Sequence, residues 1–341
     1  MVLFSRHLDD VHLSPLVVIQ IMQRIGVATA GGDAPGMNAA IRSVVRSAIN
    51  EHLEVIGFER GYSGLLKGQA ARMTARSVSG IINLGGTILK TRRCEEIKSP
   101  QGLKKAAETL EKHQIEGLIT IGGDGTVRGA SEIHEISGVS VVGIPATIDN
   151  DVAGTDTTIG FDTAVNTALS AIDKIRDTAT SHERIFVVEV MGRSRGFLAL
   201  EVGLAGGAEE ILVPEIRFNL DEICERLRRA RREGKTSEII VMAEGAGDSR
   251  EIVEYMAKRT GYDVRLSVLG HIQRGGPPSA LSRRLACQFG NEAVRQLMDG
   301  ANSDMVAVRD GRIVSVDLEY TWKGKKELDL KLYELARILS A

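Results

Sequence analysis

The sequence predicts an α/β protein built as two doubly wound α/β lobes with a C-terminal hairpin and helix, and three observations lead there. From Arg24 onward, short β-branched runs alternate with amphipathic stretches, the pattern of a parallel sheet crossed by helices. Several of those runs end on glycine-rich turns, where an open sheet presents its chemistry. With 341 residues, 43% of them hydrophobic and 26% charged, the chain is long enough to fill two cores.

The expected elements follow in order. Strand patterns lie at Ile25–Ala30, Val55–Phe58, Gly117–Ile121, Val139–Ile144, Ile185–Val190, Glu210–Val213, Ile239–Met242 and Arg265–Leu269. Helical patterns lie between them at Met37–Glu51, Gln101–His113, Thr126–Glu135, Asp162–Thr178, Leu220–Arg232, Arg250–Arg259 and Leu281–Met298. So many strands exceed one small sheet, which is why two lobes are expected. Within Leu220–Arg232 the apolar residues Ile223, Leu227 and Ala230 share one face, and the run of arginines beside them reads as a solvated face. After Asp304 the pattern becomes a hairpin, with Asp310-Gly311 as its two-residue turn. A last helix is expected over Lys326–Leu339.

Composition excludes several kinds of protein. A formal net charge of -2 predicts neither nucleic acid nor an anionic membrane as partner, and 4% aromatics do not make stacking platforms. The three cysteines, Cys94, Cys224 and Cys287, lie far apart without metal-ligand spacing, so a reduced intracellular chain in the cytoplasm is expected. Leu16–Met22 is apolar but covers only about a third of a membrane span. Residues 1–21 read as a poorly ordered extension or a mis-assigned start, with Met22 as the alternative first residue.

Three segments carry chemistry. Gly31-Gly32-Asp33-Ala34-Pro35-Gly36-Met37-Asn38 follows the first strand and precedes a helix, so its backbone can approach a polyphosphate; a plain tight turn is the alternative. Gly122-Gly123-Asp124-Gly125-Thr126 offers a second phosphate cradle with Asp124 as a Mg²⁺ ligand or, alternatively, a helix cap. Pro145-Ala146-Thr147-Ile148-Asp149-Asn150-Asp151 delivers two carboxylates to a strand end. Asp149 is the candidate general base, and Asp151 orients it or the waters of a metal. Basic residues recur at later strand ends, in Met191-Gly192-Arg193, at Arg184 and Arg265, and in Gly270-His271-Ile272-Gln273-Arg274-Gly275-Gly276, where guanidinium forks suit a sugar phosphate.

In order and separation these segments resemble the motifs of the bacterial ATP-dependent 6-phosphofructokinases over about residues 22 to 320. The resemblance implies the phosphofructokinase fold, with residues 22–160 and 273–323 as an ATP-binding lobe and 161–272 and 324–341 as a fructose 6-phosphate lobe. It further implies Mg²⁺, a homotetramer, and ATP contacts from Gly32, Tyr62, Arg93, Asp124, Gly125 and Thr126. Thr147, Asp149, Asp151, Met191, Gly192, Glu244, His271 and Arg274 would hold the sugar phosphate, with Arg193 stabilising the transferring phosphoryl group and Arg184 and Arg265 acting across a subunit interface.

Pyrophosphate-dependent relatives typically carry Asp where this chain has Gly125 and Lys where it has Ala146, so ATP is the expected donor and pyrophosphate the alternative. A lipid or NAD kinase would share the Gly-Gly-Asp-Gly-Thr turn but not the sugar-phosphate segments. A non-catalytic nucleotide-binding subunit would be expected to have lost Asp149 or Asp124. Arg42, Arg46, Arg176, Glu209 and Lys235 match a possible effector site, whereas Ala75, Glu233, Thr236 and Ser237 depart from it and imply an altered effector response.

Overall fold

A computed structural model describes residues 22–340, and the expected extension or mis-assigned start at residues 1–21 lies outside the described residues. The chain runs β1 (Arg24–Thr29), α1 (Met37–Asn50), β2 (Glu54–Phe58), α2 (Gly61–Leu66), β3 (Ala70–Met73), α3 (Pro100–Lys112), β4 (Gly117–Gly122), α4 (Asp124–Ser137), β5 (Ser140–Thr147), β6 (Ile159–Gly160) and α5 (Phe161–His182). It continues through β7 (Ile185–Val190), α6 (Phe197–Ala205), β8 (Glu210–Leu212), α7 (Leu220–Arg232), β9 (Glu238–Ala243), α8 (Ser249–Thr260) and β10 (Val264–Val268). It closes with α9 (Ala280–Met298), β11 (Ser303–Arg309), β12 (Arg312–Asp317), α10 (Leu318–Lys323) and α11 (Leu330–Leu339).

Two sheets result. The first has the order β12-β11-β5-β4-β1-β2-β3 with β6 paired to β5, and the second has the order β10-β7-β9-β8. All pairings are parallel except those of β3 and β12 with their neighbours. The central strands are apolar on both faces because helices cover both, as parallel sheets require. In the first sheet Ile25, Val27, Ile119, Ile121, Val142 and Ile144 face one core, where α1 and α9 add Met37, Ile41 and Phe289. The alternate residues Ala28, Leu118 and Val141 face a second core completed by Leu110 and Val127.

The first of these cores also takes in Val188 and Val241 of the second sheet, bridged by Ala168 and Ile172 of α5. The opposite face of the second sheet packs Val187, Ile240 and Met242 against Leu227 and Met256. The two sheets therefore share apolar contacts through α5.

Local signals account for most boundaries. Ser99 caps α3 ahead of Pro100, Asn219 caps α7, Asp248 caps α8 and Ser279 caps α9. Asp310 and Gly311 have φ of 49 and 73 degrees, the left-handed pair that a tight hairpin needs. Five elements escaped the periodicity. α2 and α10 span only 6 residues each, β3 only 4 and β6 only 2, too short for a pattern. α6 is apolar on almost every side and so has no amphipathic period.

Two expectations are corrected. The last helix starts at Leu330 rather than Lys326, because Asp329 caps it by accepting from the N–H groups of Lys331 and Leu332. Residues 324–329 are an extended connection instead. The arginine run of α7 is not simply solvated: Arg226 bonds Glu210, Arg228 bonds Glu225, and Arg231 lies over the Tyr262 ring at 5.0 Å.

Candidate active site

Strand adjacency brings the three motif segments together. β1 pairs with β4 and β4 with β5, so Thr29 aligns with Ile121 and Gly122 with Pro145. The turns that follow, at Gly31, Gly123 and Thr147, then stand side by side at the carboxyl edge of the sheet. Side chains lock them. Thr126 Oγ1 donates to the Ala30 carbonyl at 2.9 Å, and the buried Tyr62 hydroxyl donates to the Thr126 carbonyl. Gly122 is required by this closeness, since an added Cβ would stand 2.3 Å from Thr126 Oγ1 and 2.5 Å from the Ala30 oxygen.

Above these turns is a cavity of about 490 Å³. Gly32, Tyr62, Arg93, Asp124, Gly125, Thr126, Thr147, Asp151, Arg193 and Arg274 all line it. Lys98 lines it too, and Arg92 and Arg128 add cations to its wall that the motifs did not reveal, because neither belongs to a recognisable turn. Arg274 comes from a distant short turn, Gly270–Arg274, and donates to the Asp33 carbonyl at 3.1 Å.

Asp149 sits behind the cavity, its side chain only 1% exposed. Arg193 Nε approaches one of its carboxylate oxygens at 3.2 Å, yet among the described residues neither oxygen accepts an aligned hydrogen bond. Burial raises the Asp149 carboxyl above the ordinary range and Asp151 adds to this, while Arg193 and Arg274 oppose it. A carboxylate so placed holds a proton more readily than a free one, which suits a general base.

The turns carrying Asp149 and Arg193 both use left-handed backbone, with φ of 51 degrees at Asn150 and 54 degrees at Arg193. Glu244 supports the second turn, its carboxylate accepting from Gly192 N–H at 3.2 Å and Arg193 N–H at 2.6 Å. Removing that support in Glu244→Ala is expected to lower kcat/KM about 10-fold or more with little change in Tm, as steady-state rates beside a melting curve will show.

Asp124 opens to the cavity but is partly enclosed by protein. That enclosure, followed by the charge of Asp151, raises its carboxyl above the ordinary range, against Arg193 and Arg128. Two hard-oxygen donors on one cavity suit Mg²⁺, which takes one or two carboxylates and completes its shell with phosphate oxygens and water. Among the described residues no cluster of three or more acidic, His or Cys side chains forms a closed metal cage.

Other predicted residues lie elsewhere in the single chain. Met191 and Gly192 are buried beneath the Arg193 turn, and His271 is exposed away from the cavity. Arg184 and Arg265 converge on Asp263, each with Nε at 2.7 Å, beside the edge strand β10. Asp263 had no sequence signal. Of the possible effector residues, Glu209 and Lys235 contact at 3.2 Å and line a separate cavity of about 640 Å³. Arg176 bonds the Gly206 and Gly207 carbonyls, while Arg42 and Arg46 lie on α1 and do not line that cavity.

A glycine-rich helix start and an arginine on one cavity, with a buried carboxylate directly behind that arginine, define an α/β phosphotransferase. A model of the family described as Phosphofructokinase matches residues 24–297, and the chain belongs to the phosphofructokinase family. It is 52% identical over 319 residues to the ATP-dependent 6-phosphofructokinase of Clostridium tetani and 50% identical to that of Thermotoga neapolitana, each alignment covering 94% of this chain and 100% of the relative. Among solved structures, phosphofructokinase from Saccharomyces cerevisiae superposes with a TM-score of 0.85 at 34% identity over 93% of this chain and 48% of that longer one. A pyrophosphate-dependent phosphofructokinase from Marinobacter aquaeolei, at 24% identity, shares the fold with a TM-score of 0.81 over 91% of this chain and 86% of that one.

Proposed function

We propose that this protein transfers the γ-phosphoryl group of ATP to the 1-hydroxyl of fructose 6-phosphate, giving fructose 1,6-bisphosphate and ADP in glycolysis. The observation that carries this reading is the buried Asp149 carboxylate, with the exposed Arg193 guanidinium 3.2 Å from it, beside a cavity walled by glycine turns and cations. Gly32, Tyr62, Arg93, Gly125 and Thr126 form the nucleotide wall. Thr147, Met191, Gly192, Glu244, His271 and Arg274 serve the sugar phosphate, directly or by shaping its loops.

Asp149 accepts the proton of the attacking hydroxyl, Asp151 keeps the neighbouring turn polar, and Arg193 neutralises charge on the transferring group. Asp124 with Asp151 would hold Mg²⁺, which when bound neutralises polyphosphate charge. The protein acts in the cytoplasm as a homotetramer, with Arg184 and Arg265 reaching a neighbouring subunit's sugar phosphate from the exposed β10 edge. Among the described residues no helix is long and apolar enough to cross a membrane.

Gly125 favours ATP as donor. A Cβ placed there meets nothing within 4 Å among the described residues, leaving the space open on the cavity side. Initial rates of fructose 1,6-bisphosphate formation with Mg²⁺, offering ATP and pyrophosphate in parallel, test the reading. Turnover with ATP alone is expected, with light scattering on the same sample giving a tetramer. Turnover chiefly with pyrophosphate would overturn the donor assignment, and phosphorylation of NAD or diacylglycerol instead would overturn the acceptor.

A further inference from the structure

Lys326 lies in the extended segment 324–329 between α10 and α11. α10 packs on α4, whose first residue is Asp124, and α11 packs on α6, which follows the Arg193 turn. The segment therefore crosses from one sheet's helices to the other's, close to the ends of β5 and β7. Gly324 permits the close passage, since an added Cβ would stand 2.7 Å from the Tyr320 carbonyl and 3.2 Å from Ala153 Cβ. At the other end Leu328 is buried in the core shared by both sheets.

Both ends of Lys326 engage loops of the site. Its ammonium donates to the Asp156 carbonyl at 2.9 Å, in the loop that continues from Asp149 and Asp151. Its own carbonyl accepts from the Arg195 guanidinium, two residues beyond Arg193. The Phe197 ring has both cations near it, Arg195 Cζ at 5.3 Å and Lys326 Nζ at 5.3 Å from its centre. Arg195 N–H returns to the Gly192 carbonyl at 3.0 Å, and its guanidinium lies 3.7 Å from Glu215. Burial pulls the Lys326 ammonium down to about 8, with Asp156 and then Asp151 holding it up.

Asp149 and Arg193 follow strands of different sheets, and their 3.2 Å contact has no aligned hydrogen bond to hold it. Their separation must be set by the loops that carry them. We propose that Lys326 is a positioning residue for phosphoryl transfer, bracing the Asp149 loop against the Arg193 turn through the 324–329 segment. The proposal rests on the phosphoryl-transfer reading above.

The test compares wild type with Lys326→Arg, Lys326→Gln and Lys326→Met, measuring kcat, KM for ATP and for fructose 6-phosphate, and Tm. Arginine keeps the cation and the donor, glutamine keeps only a donor, and methionine keeps only the stem. The expected order of kcat is lysine close to arginine, then glutamine, then methionine, with methionine about 10-fold or more below wild type. KM for ATP is expected to stay within about twofold, because Lys326 does not line the nucleotide cavity.

Equal kcat in all four proteins would overturn the brace, as would an arginine variant as slow as methionine or rate losses that simply follow Tm. Any folded pair of variants decides the order. A wild type with no turnover of fructose 6-phosphate sinks the phosphoryl-transfer reading itself, whereas an active wild type matched by an equally active methionine variant sinks only the brace.

Discussion

Asp149→Asn is expected to lower kcat by about 10²- to 10⁴-fold, the usual contribution of a general base, while leaving the protein at least as stable as wild type. The two effects separate because of where the carboxylate sits. Its oxygens are buried without an aligned hydrogen bond from the described residues, and its carboxyl is raised by burial and by Asp151. A raised folded-state value means that the folded chain holds this proton more tightly than the unfolded chain. Stability attributable to the group is therefore present at low pH and is lost as pH rises from the unfolded value through the folded one. Asparagine removes that loss, so at neutral pH the melting temperature should equal or exceed wild type.

Arg193, 48% exposed, stays hydrated when its partner is neutral. The wild-type pH profile carries the same signature. Asp149 must be ionised to accept the proton, so the acid limb of kcat/KM should lie above the ordinary aspartate value of about 4, and the variant should lose the Asp149 component while keeping that of Asp124, which is also raised. Near-normal turnover in Asp149→Asn, or a collapse of its melting temperature, would overturn the assignment.

The second large effect concerns the donor. Gly125→Asp is expected to raise KM for ATP or lower kcat/KM with ATP by about 10²- to 10³-fold, without a fall in Tm. Among the described residues nothing stands within 4 Å of a Cβ at this position, and it lies in the first turn of α4, where an acidic side chain is favoured by the helix dipole. The fold should therefore tolerate the change. The new carboxylate would instead face the polyphosphate, and two unit charges about 4 Å apart at an effective dielectric of about 20 repel by roughly 4 kcal/mol. Binding isotherms for ATP beside steady-state rates will separate lost affinity from lost chemistry. An unchanged affinity would mean that the α-phosphate lies away from Gly125.

Much of this site was legible in the chain because glycine-rich turns at strand ends are written locally. A β-branched run, two glycines and a helix start form one continuous segment, so Gly31–Gly32 and Gly122–Thr126 were identifiable without any tertiary information. The same holds for Asp149, which ends an apolar run in a short acidic turn. Arg274 was suggested by glycines around it, although its bond to Asp33 spans 241 residues and is set by packing alone. Asp263, Arg92, Arg128 and Lys326 carried no such signal, since a single charged residue outside a motif looks the same whether it faces solvent or a site.

By itself the sequence determined the alternation of strands and helices, the two glycine turns, the acidic turn and the hairpin, because each depends on propensities and periodicities within a few residues. Tertiary structure alone decided that β1, β4 and β5 are neighbours, that Arg193 meets Asp149 from the other sheet, and that the final helix begins four residues late so that an extended segment can run between the lobes. Those outcomes depend on strand order and on burial at long sequence separation, where the energy of a contact resides in the partner and not in the residue that awaits it.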